Sequence, residues 1–184
     1  MGKEWYNYIG YLLAEENRTL IILGIDPGLA IVGWGVIEYK NTKFRTLAYG
    51  SLRTPAGMRT EERLKSIYDG MNELIETYHP DAMAVEELFF NTNITTGIRV
   101  AEARGVILAV AEDFGINIAE YTPLQVKQSV VGYGRAEKRQ VIEMVTRILN
   151  LPSPPKPDDT ADALAIAICH AHSGCSRLAD YYNK

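Results

Sequence analysis

The chain has 184 residues, of which 47% are hydrophobic and 23% are charged, and its formal net charge is −4. This length and balance fit one globular domain with its own core, and they exclude long disordered, collagen-like and coiled-coil chains. No stretch approaches the ~20 consecutive apolar residues of a transmembrane helix, which predicts a protein without a membrane span. The two cysteines, Cys169 and Cys175, form neither a disulfide framework nor a zinc cluster, which favours a reducing cytoplasm.

The first nineteen residues differ in pattern from the rest of the chain. Their apolar side chains have the spacing of one face of an amphipathic helix, and they are Trp5, Tyr8, Ile9, Leu12 and Leu13. The segment lacks the ordered basic, apolar and cleavage regions of a secretory signal. We therefore predict a helical extension over residues 1–19.

The pattern after residue 19 predicts three strands, followed by alternating helices and strands. Residues 20–26 are apolar on both faces, as in a central strand, and end at Asp26-Pro27-Gly28. The next predicted strands span 31–39 and 44–52; a helix over 59–78, a strand over 81–86, a helix over 95–113, a strand over 116–120 and helices over 123–131, 135–149 and 159–173 follow. This order predicts an α/β fold with a five-stranded mixed sheet, three antiparallel strands plus two parallel, and helices on both faces.

Two of the predicted strands end in an acid. Asp26 closes the first strand and Glu86 closes the fourth. If these strands are parallel neighbours, both side chains emerge at the same end of the sheet, where α/β sheets bind their ligands. A simpler interpretation stays open, in which each acid marks the water-exposed end of its own strand.

A second pair of acids opens the last predicted helix. Asp159 and Asp162 are three residues apart and share a helix face, and the helix dipole favours negative charge in this first turn. As a helix cap with an acidic third residue, the pair would need no further function. The apolar residues that follow predict a closely buried helix, which would bring these acids near the end of the sheet.

The four carboxylates form an all-oxygen set without a neighbouring His or Cys. Such donors suit hard cations such as Mg²⁺ or Mn²⁺. Two ions held ~4 Å apart can activate water and stabilise the leaving oxygen of a phosphodiester. The overall negative charge does not exclude nucleic acid, because residues 125–150 contain five Lys or Arg residues against two Glu residues.

Six segments that occur in order carry a resemblance to a known family. They are Gly24-Ile25-Asp26-Pro27-Gly28, Ala84-Val85-Glu86-Glu87-Leu88-Phe89-Phe90, Ala103-Arg104-Gly105-Val106, Gln125-Val126-Lys127-Gln128, Gly134-Arg135-Ala136-Glu137-Lys138 and Asp162-Ala163-Leu164-Ala165-Ile166-Ala167. With these segments the chain resembles the RuvC family, the bacterial crossover-junction endodeoxyribonucleases that resolve Holliday junctions. The resemblance covers about residues 20–173, which we assign to one nuclease domain, with 1–19 as an extension and 174–184 as a tail.

The resemblance implies a ribonuclease H-like fold and a homodimer in which each subunit nicks one of two opposing strands of a four-way DNA junction, leaving 5′-phosphate ends. By similarity, the catalytic carboxylates are Asp26, Glu86, Asp159 and Asp162, which would bind two Mg²⁺ ions, with Mn²⁺ as an alternative metal. An extra acid, Asp158, leaves open which of two neighbours is the third ligand. The family also implies partnership with the RuvA–RuvB branch-migration complex.

The resemblance also implies DNA contacts. Phe89 would wedge among bases at the crossover, and Lys127 and Lys138 would contact DNA near the cut. The residues that flank these lysines, among them Arg135, fit a close approach to phosphate. Adjacent aromatics at 89 and 90 cannot both point into one core, and a stacked base is worth ~1–3 kcal/mol. The alternatives are an aromatic packed inward and lysines that are solvated surface charges.

Three alternatives remain open from the sequence. Because chains of this family usually begin almost at the first strand, residues 1–19 are either a genuine docking helix or an artefact of a start codon assigned too early, with the true start near Leu20. The function could be that of another ribonuclease H-like nuclease, acting on RNA or RNA–DNA hybrid. It could also be non-catalytic junction binding, although a binder gains nothing from four carboxylates that face phosphate.

Overall fold

The computed structural model describes residues 19–88 and 94–174. The strands are β1 (Leu20–Asp26), β2 (Ile31–Lys40), β3 (Lys43–Arg53), β4 (Ala82–Glu86) and β5 (Asn117–Tyr121). The helices are α1 (Thr60–Tyr78), α2 (Ile94–Asp113), α3 (Pro123–Val131), α4 (Lys138–Ile148) and α5 (Asp158–Gly174). The predicted order of elements is confirmed, and the bounds differ by at most one residue except at the start of α4.

The five strands form one mixed sheet in the order β3-β2-β1-β4-β5. β1 pairs antiparallel with β2, and β2 with β3, whereas the β1–β4 and β4–β5 pairs are parallel. The predicted fold class is therefore confirmed. Ile25 of β1 is in register with Val85 of β4. The next residues, Asp26 and Glu86, therefore end these two parallel strands at the same end of the sheet.

Helices cover both faces of the sheet, because the central strands are apolar on both sides. In β1, Ile22 belongs to the core beneath α3, α4 and α5, whereas Leu23 and Ile25 belong to the core beneath α1 and α2. This alternation follows from the two-residue period of a strand. Within the described ranges, no helix has the length and apolar character that a membrane span requires.

Helix α5 lies directly on the backbone of the sheet. A Cβ atom added to Gly24 of β1 would overlap the carbonyl oxygen of Ala163, and one added to Gly33 of β2 would overlap the carbonyl oxygen of Asp159. Only glycine therefore permits this approach. The first turn of α5 is consequently held at a fixed height above the strand ends, since no side-chain layer separates them.

Two sequence predictions need correction. Helix α4 begins at Lys138, not at residue 135, because Gly132 ends α3 with a φ of 91° and the chain needs a short loop before Glu137 caps α4. The helical spacing of apolar residues predicts that one stripe of α1 is buried, namely Leu64, Ile67, Tyr68, Met71, Leu74, Ile75 and Tyr78. Of these, Tyr68 is exposed, and Arg63 is buried instead. The predicted N-terminal helix, the predicted DNA contact Phe89 and nearly all of the predicted tail lie outside the described residues.

Candidate active site

The ends of β1 and β4 and the first turn of α5 meet at one place. Asp26 is opposite Gly33 in the β1–β2 pairing, and Gly33 lies against the backbone of Asp159. Glu86 is on the other side of Asp26, at the end of the parallel strand β4. Asp162 is one helical turn beyond Asp159 on α5. The structure thus brings the four acids predicted from sequence to one end of the sheet.

Asp26 is the centre of this acidic cluster. Burial, and then the charges of Glu86, Asp162 and Asp159, raise its pKa from 3.8 to about 8, although Lys138 opposes this rise. A buried carboxylate is poorly solvated, and like charges nearby further disfavour the ionised form. The cluster therefore holds more negative charge than its own surroundings neutralise.

The pKa values of two neighbouring acids, Glu86 and Asp162, are also raised. The pKa of Glu86 is raised by burial and then by the charge of Asp162, and that of Asp162 is raised mainly by burial. Lys138 and Lys127 lower the pKa of Glu86. Because two lysines act on this carboxyl, both predicted DNA-contacting lysines lie within electrostatic reach of the acids.

Lys138 connects α4 to the acidic turn of α5. Its Nζ atom lies 2.9 Å from Oδ2 of Asp162 and 3.8 Å from Oδ2 of Asp158. Burial alone would lower the pKa of Lys138, but the hydrogen bond to Asp162 and the charges of Asp162, Asp158 and Asp159 raise it. The side chain is thus a cation already placed at the edge of the cluster.

The two neighbouring aspartates at the start of α5 differ in their surroundings. The charge of Asp159 acts on Asp26, whereas Asp158 has a side chain that is 62% exposed and pairs with Lys138 at long range. The backbone of Asp159 also lies against Gly33, opposite Asp26, which favours Asp159 over Asp158 near the centre of the acidic cluster, although the charge of Asp158 acts on Asp162. Sequence alone left this choice open, because it did not fix the first residue of the helix.

The chemistry of the cluster fits a hard divalent cation. Its donors are carboxyl oxygens, and the nearby lysines offset only part of the repulsion among them, which suits the hard cations Mg²⁺ and Mn²⁺. As the side chains stand, no group of three or more Asp, Glu, His or Cys residues within 19–88 and 94–174 could hold a metal ion. Metal binding would therefore require the carboxylates to turn toward a common point, and Lys138 to release Asp162.

The turn after Asp26 is fixed by a buried arginine that the sequence analysis missed. Nε of Arg63 donates to Oγ1 of Thr54 at 2.8 Å, and this hydroxyl donates to the carbonyl oxygen of Leu29 at 2.5 Å. The backbone N–H of Thr54 also donates to the carbonyl of Ala30. Residue 63 falls four positions before Ile67 of the apolar stripe, which was the available signal for its burial.

A second buried threonine fixes the other side of the site. Thr160 lies between the two α5 acids, and its Oγ1 donates to the carbonyl oxygen of Gly50 in β3 at 3.0 Å. No pattern in the sequence predicted this contact. The predicted DNA contact Arg135 lies in the exposed loop between α3 and α4.

The chain is similar in sequence to known proteins over most of its length. The family model of crossover junction endodeoxyribonuclease RuvC matches residues 22–170. The RuvC protein of Alkaliphilus metalliredigens is 59% identical over 155 residues, which cover 84% of this chain and 94% of that protein. The RuvC protein of Clostridioides difficile is 58% identical over 154 residues, covering 84% of this chain and 91% of that protein.

Solved structures show the same fold. RuvC of Thermus thermophilus, in complex with a Holliday junction substrate, superimposes with a TM-score of 0.82 at 36% identity, covering 86% of this chain and 96% of that chain. The yeast mitochondrial Holliday junction resolvase Ydc2 has a TM-score of 0.61 at 16% identity, covering 88% of this chain and 83% of that chain, and it supports the fold alone. The chain therefore belongs to the RuvC family of crossover junction endodeoxyribonucleases.

Proposed function

We propose that this protein resolves Holliday junctions by paired nicks in two opposing strands, during DNA recombination and repair. The observation that carries the proposal is the meeting of Asp26, Glu86, Asp159 and Asp162 at one end of the sheet. The similarity to a RuvC protein bound to a Holliday junction substrate supports the choice of DNA substrate. Four acids with few cations among them would repel phosphate unless metal ions were bound, which favours an enzyme over a binding protein.

The four acids would hold two Mg²⁺ ions, with Mn²⁺ as a substitute. When bound, such a pair supplies an activated water and stabilises the oxygen that leaves the phosphorus. Asp26 at the end of β1, Glu86 at the end of β4, and Asp159 and Asp162 on α5 would hold the ions, and Glu86 would help to orient them. Cleavage with loss of the 3′-oxygen would leave 5′-phosphate ends.

The basic side chains would hold the DNA backbone above the acids. Lys138, which now contacts Asp162, would hold a phosphate oxygen of the DNA at the edge of the acidic cluster. Lys127 and the exposed Arg135 would contact neighbouring phosphates. Phe89 would insert between bases at the crossover, which is the role that the family resemblance assigns to it.

The assembly would be a homodimer, because paired nicks in opposing strands need two active sites in one complex. On α2, Ile98 is 52% exposed, which is consistent with further burial in a partner. Cooperation with RuvA–RuvB and a cytoplasmic location, where bacterial chromosomal DNA lies, complete the proposal. Sedimentation equilibrium at micromolar protein tests the dimer, and a species with the mass of one chain would contradict it.

The decisive experiment is cleavage of a labelled, immobile four-way DNA junction. In Mg²⁺ we expect two symmetric nicks with 5′-phosphate ends, and no nicks in excess EDTA. Asp26→Asn should bind the junction in EDTA as tightly as the wild type but should not nick it in Mg²⁺. Asp113→Asn changes an exposed acid at the end of α2 and is the matched control, which should nick normally.

Two results would overturn the proposed function. Equal nicking by Asp26→Asn and wild type in Mg²⁺ would remove the acidic cluster from the chemistry. Faster cleavage of RNA–DNA hybrid or structured RNA than of the junction, in a panel at equal concentration, would assign the protein to another ribonuclease H-like activity.

A further inference from the structure

Two exposed apolar side chains lie beside the basic residues of the candidate site. Leu124, in the first turn of α3, is 58% exposed, and Tyr133, in the loop after α3, is 46% exposed. Exposed apolar surface that is rimmed by polar residues commonly marks a binding site when it is contiguous. We call this pair, Leu124 and Tyr133, the apolar pad.

The loop that follows α3 folds back onto the start of that helix. Gly132 ends α3 in a left-handed conformation with a φ of 91°, and its N–H donates to the carbonyl of Gln128. Two residues later, the backbone at Gly134 lies so close to Leu124 that an added Cβ would overlap Cδ1 of that leucine. Tyr133 is thus presented from a loop that packs against Leu124.

The apolar pad is flanked by the two lysines that act on the acidic cluster. Leu124 and Lys127 are three residues apart and share a face of α3. On the other side of the loop, Lys138 begins α4 and contacts Asp162. The exposed Arg135 lies between Tyr133 and Lys138 in the same loop. The exposed apolar side chains thus lie on the helix and the loop that also carry these cations.

We propose that the apolar pad binds a nucleotide of the junction, with the Tyr133 ring stacked on a base and Leu124 against the same nucleotide. The inference rests on the proposed function, because it requires a nucleic acid beside the acids. Cations that pair with phosphates, next to a ring that stacks on bases, form the arrangement of single-strand nucleic-acid sites. Junction DNA matches both features, since it offers phosphates together with bases exposed at the crossover.

The test compares junction binding by Tyr133→Ala, Tyr133→Phe and Leu124→Ala in EDTA, by fluorescence anisotropy. Loss of one stacked base should weaken binding by Tyr133→Ala at least about fivefold. Tyr133→Phe keeps the ring and should bind within about twofold of the wild type. Phe114→Ala, which removes a similarly exposed aromatic near the opposite end of the sheet, is the control and should also bind normally.

Salt dependence separates stacking from a loss of charge. Because no phosphate contact is removed, Tyr133→Ala should keep the wild-type slope of log affinity against log salt, whereas loss of one phosphate contact lowers the slope by about 0.7–0.9. A 2-aminopurine base at the crossover should report different stacking in wild type and Tyr133→Ala.

The inference and the proposed function fail in different ways. If the wild type nicks the junction, and both Tyr133→Ala and Leu124→Ala bind it like the wild type, the apolar pad does not bind DNA and the inference is overturned. If Tyr133→Phe is as weak as Tyr133→Ala, the hydroxyl acts in place of the ring, which also overturns it. A wild-type protein that neither binds nor nicks junctions would overturn the proposed function itself.

Discussion

Replacement of Asp26 by asparagine should stabilise the metal-free protein, although it should abolish nicking. The pKa of Asp26 in the folded chain is about 8, against an ordinary value of 3.8, because burial and then Glu86, Asp162 and Asp159 disfavour its charge. Between these values the folded chain keeps a proton that the unfolded chain releases. The free energy of unfolding of the wild type therefore falls as pH rises, by up to about 1.4 kcal/mol per pH unit.

The size of the effect follows from this pH window. From pH 5 to pH 8 the advantage of Asp26→Asn over the wild type should grow by up to about 3–4 kcal/mol. For a chain of this size each kcal/mol corresponds to roughly 2–4 °C in Tm. The amide has nearly the same shape as the carboxyl and no charge to bury, so its stability should lack this component of the pH dependence.

Urea unfolding in EDTA at several pH values, followed by circular dichroism, measures the effect. The comparison needs wild type, Asp26→Asn and the exposed control Asp113→Asn. Added Mg²⁺ should narrow the gap at pH 8, because the cations neutralise the wild-type carboxylates but have less to bind in the variant. A gap between wild type and Asp26→Asn that stays constant from pH 5 to pH 8 would refute the electrostatic account of the site.

Further predictions concern the start of α5 and its contact with the sheet. Asp159→Asn should reduce nicking by more than the about 10–100-fold typical of residues behind metal ligands, whereas Asp158→Asn should stay within a few-fold; similar losses in both would contradict the assignment. Thr160→Val should lower the free energy of unfolding by about 0.5–1.5 kcal/mol, since the part-buried carbonyl of Gly50 loses its donor, and an unchanged urea midpoint would disprove this. Gly24→Ala should lower it by about 1–3 kcal/mol or more through overlap with the α5 backbone, while Gly57→Ala, where the added methyl meets open space, should have little effect.

The acidic cluster could be predicted from sequence because strand ends are strong signals. Asp26 and Glu86 each follow an apolar run, and the order of elements made their strands parallel neighbours. The first turn of α5 was identifiable from its acids and the small apolar residues after them. Local patterns were enough to predict the cluster, because the carboxyl ends of neighbouring parallel strands lie at the same end of a sheet.

Contacts between distant elements could not be predicted in this way. The approach of Lys138 to Asp162 depends on how α4 packs beside α5, and periodicity says nothing of that angle. The hydrogen bond from Thr160 to Gly50 likewise joins residues 110 positions apart. The start of α4 was predicted too early, because helix propensity contains no information about the loop that packs against Leu124.

The direct contact between the backbone of α5 and the glycine residues of the sheet also has a consequence for thermal inactivation of the enzyme. Main-chain atoms in van der Waals contact do not separate gradually, because even a small gap between them loses much of their attraction. Distortion of the acidic pocket ahead of melting would require α5 to lift from β1 and β2, which form the middle of the sheet. Thermal inactivation and cooperative collapse of the fold should accordingly coincide at one temperature.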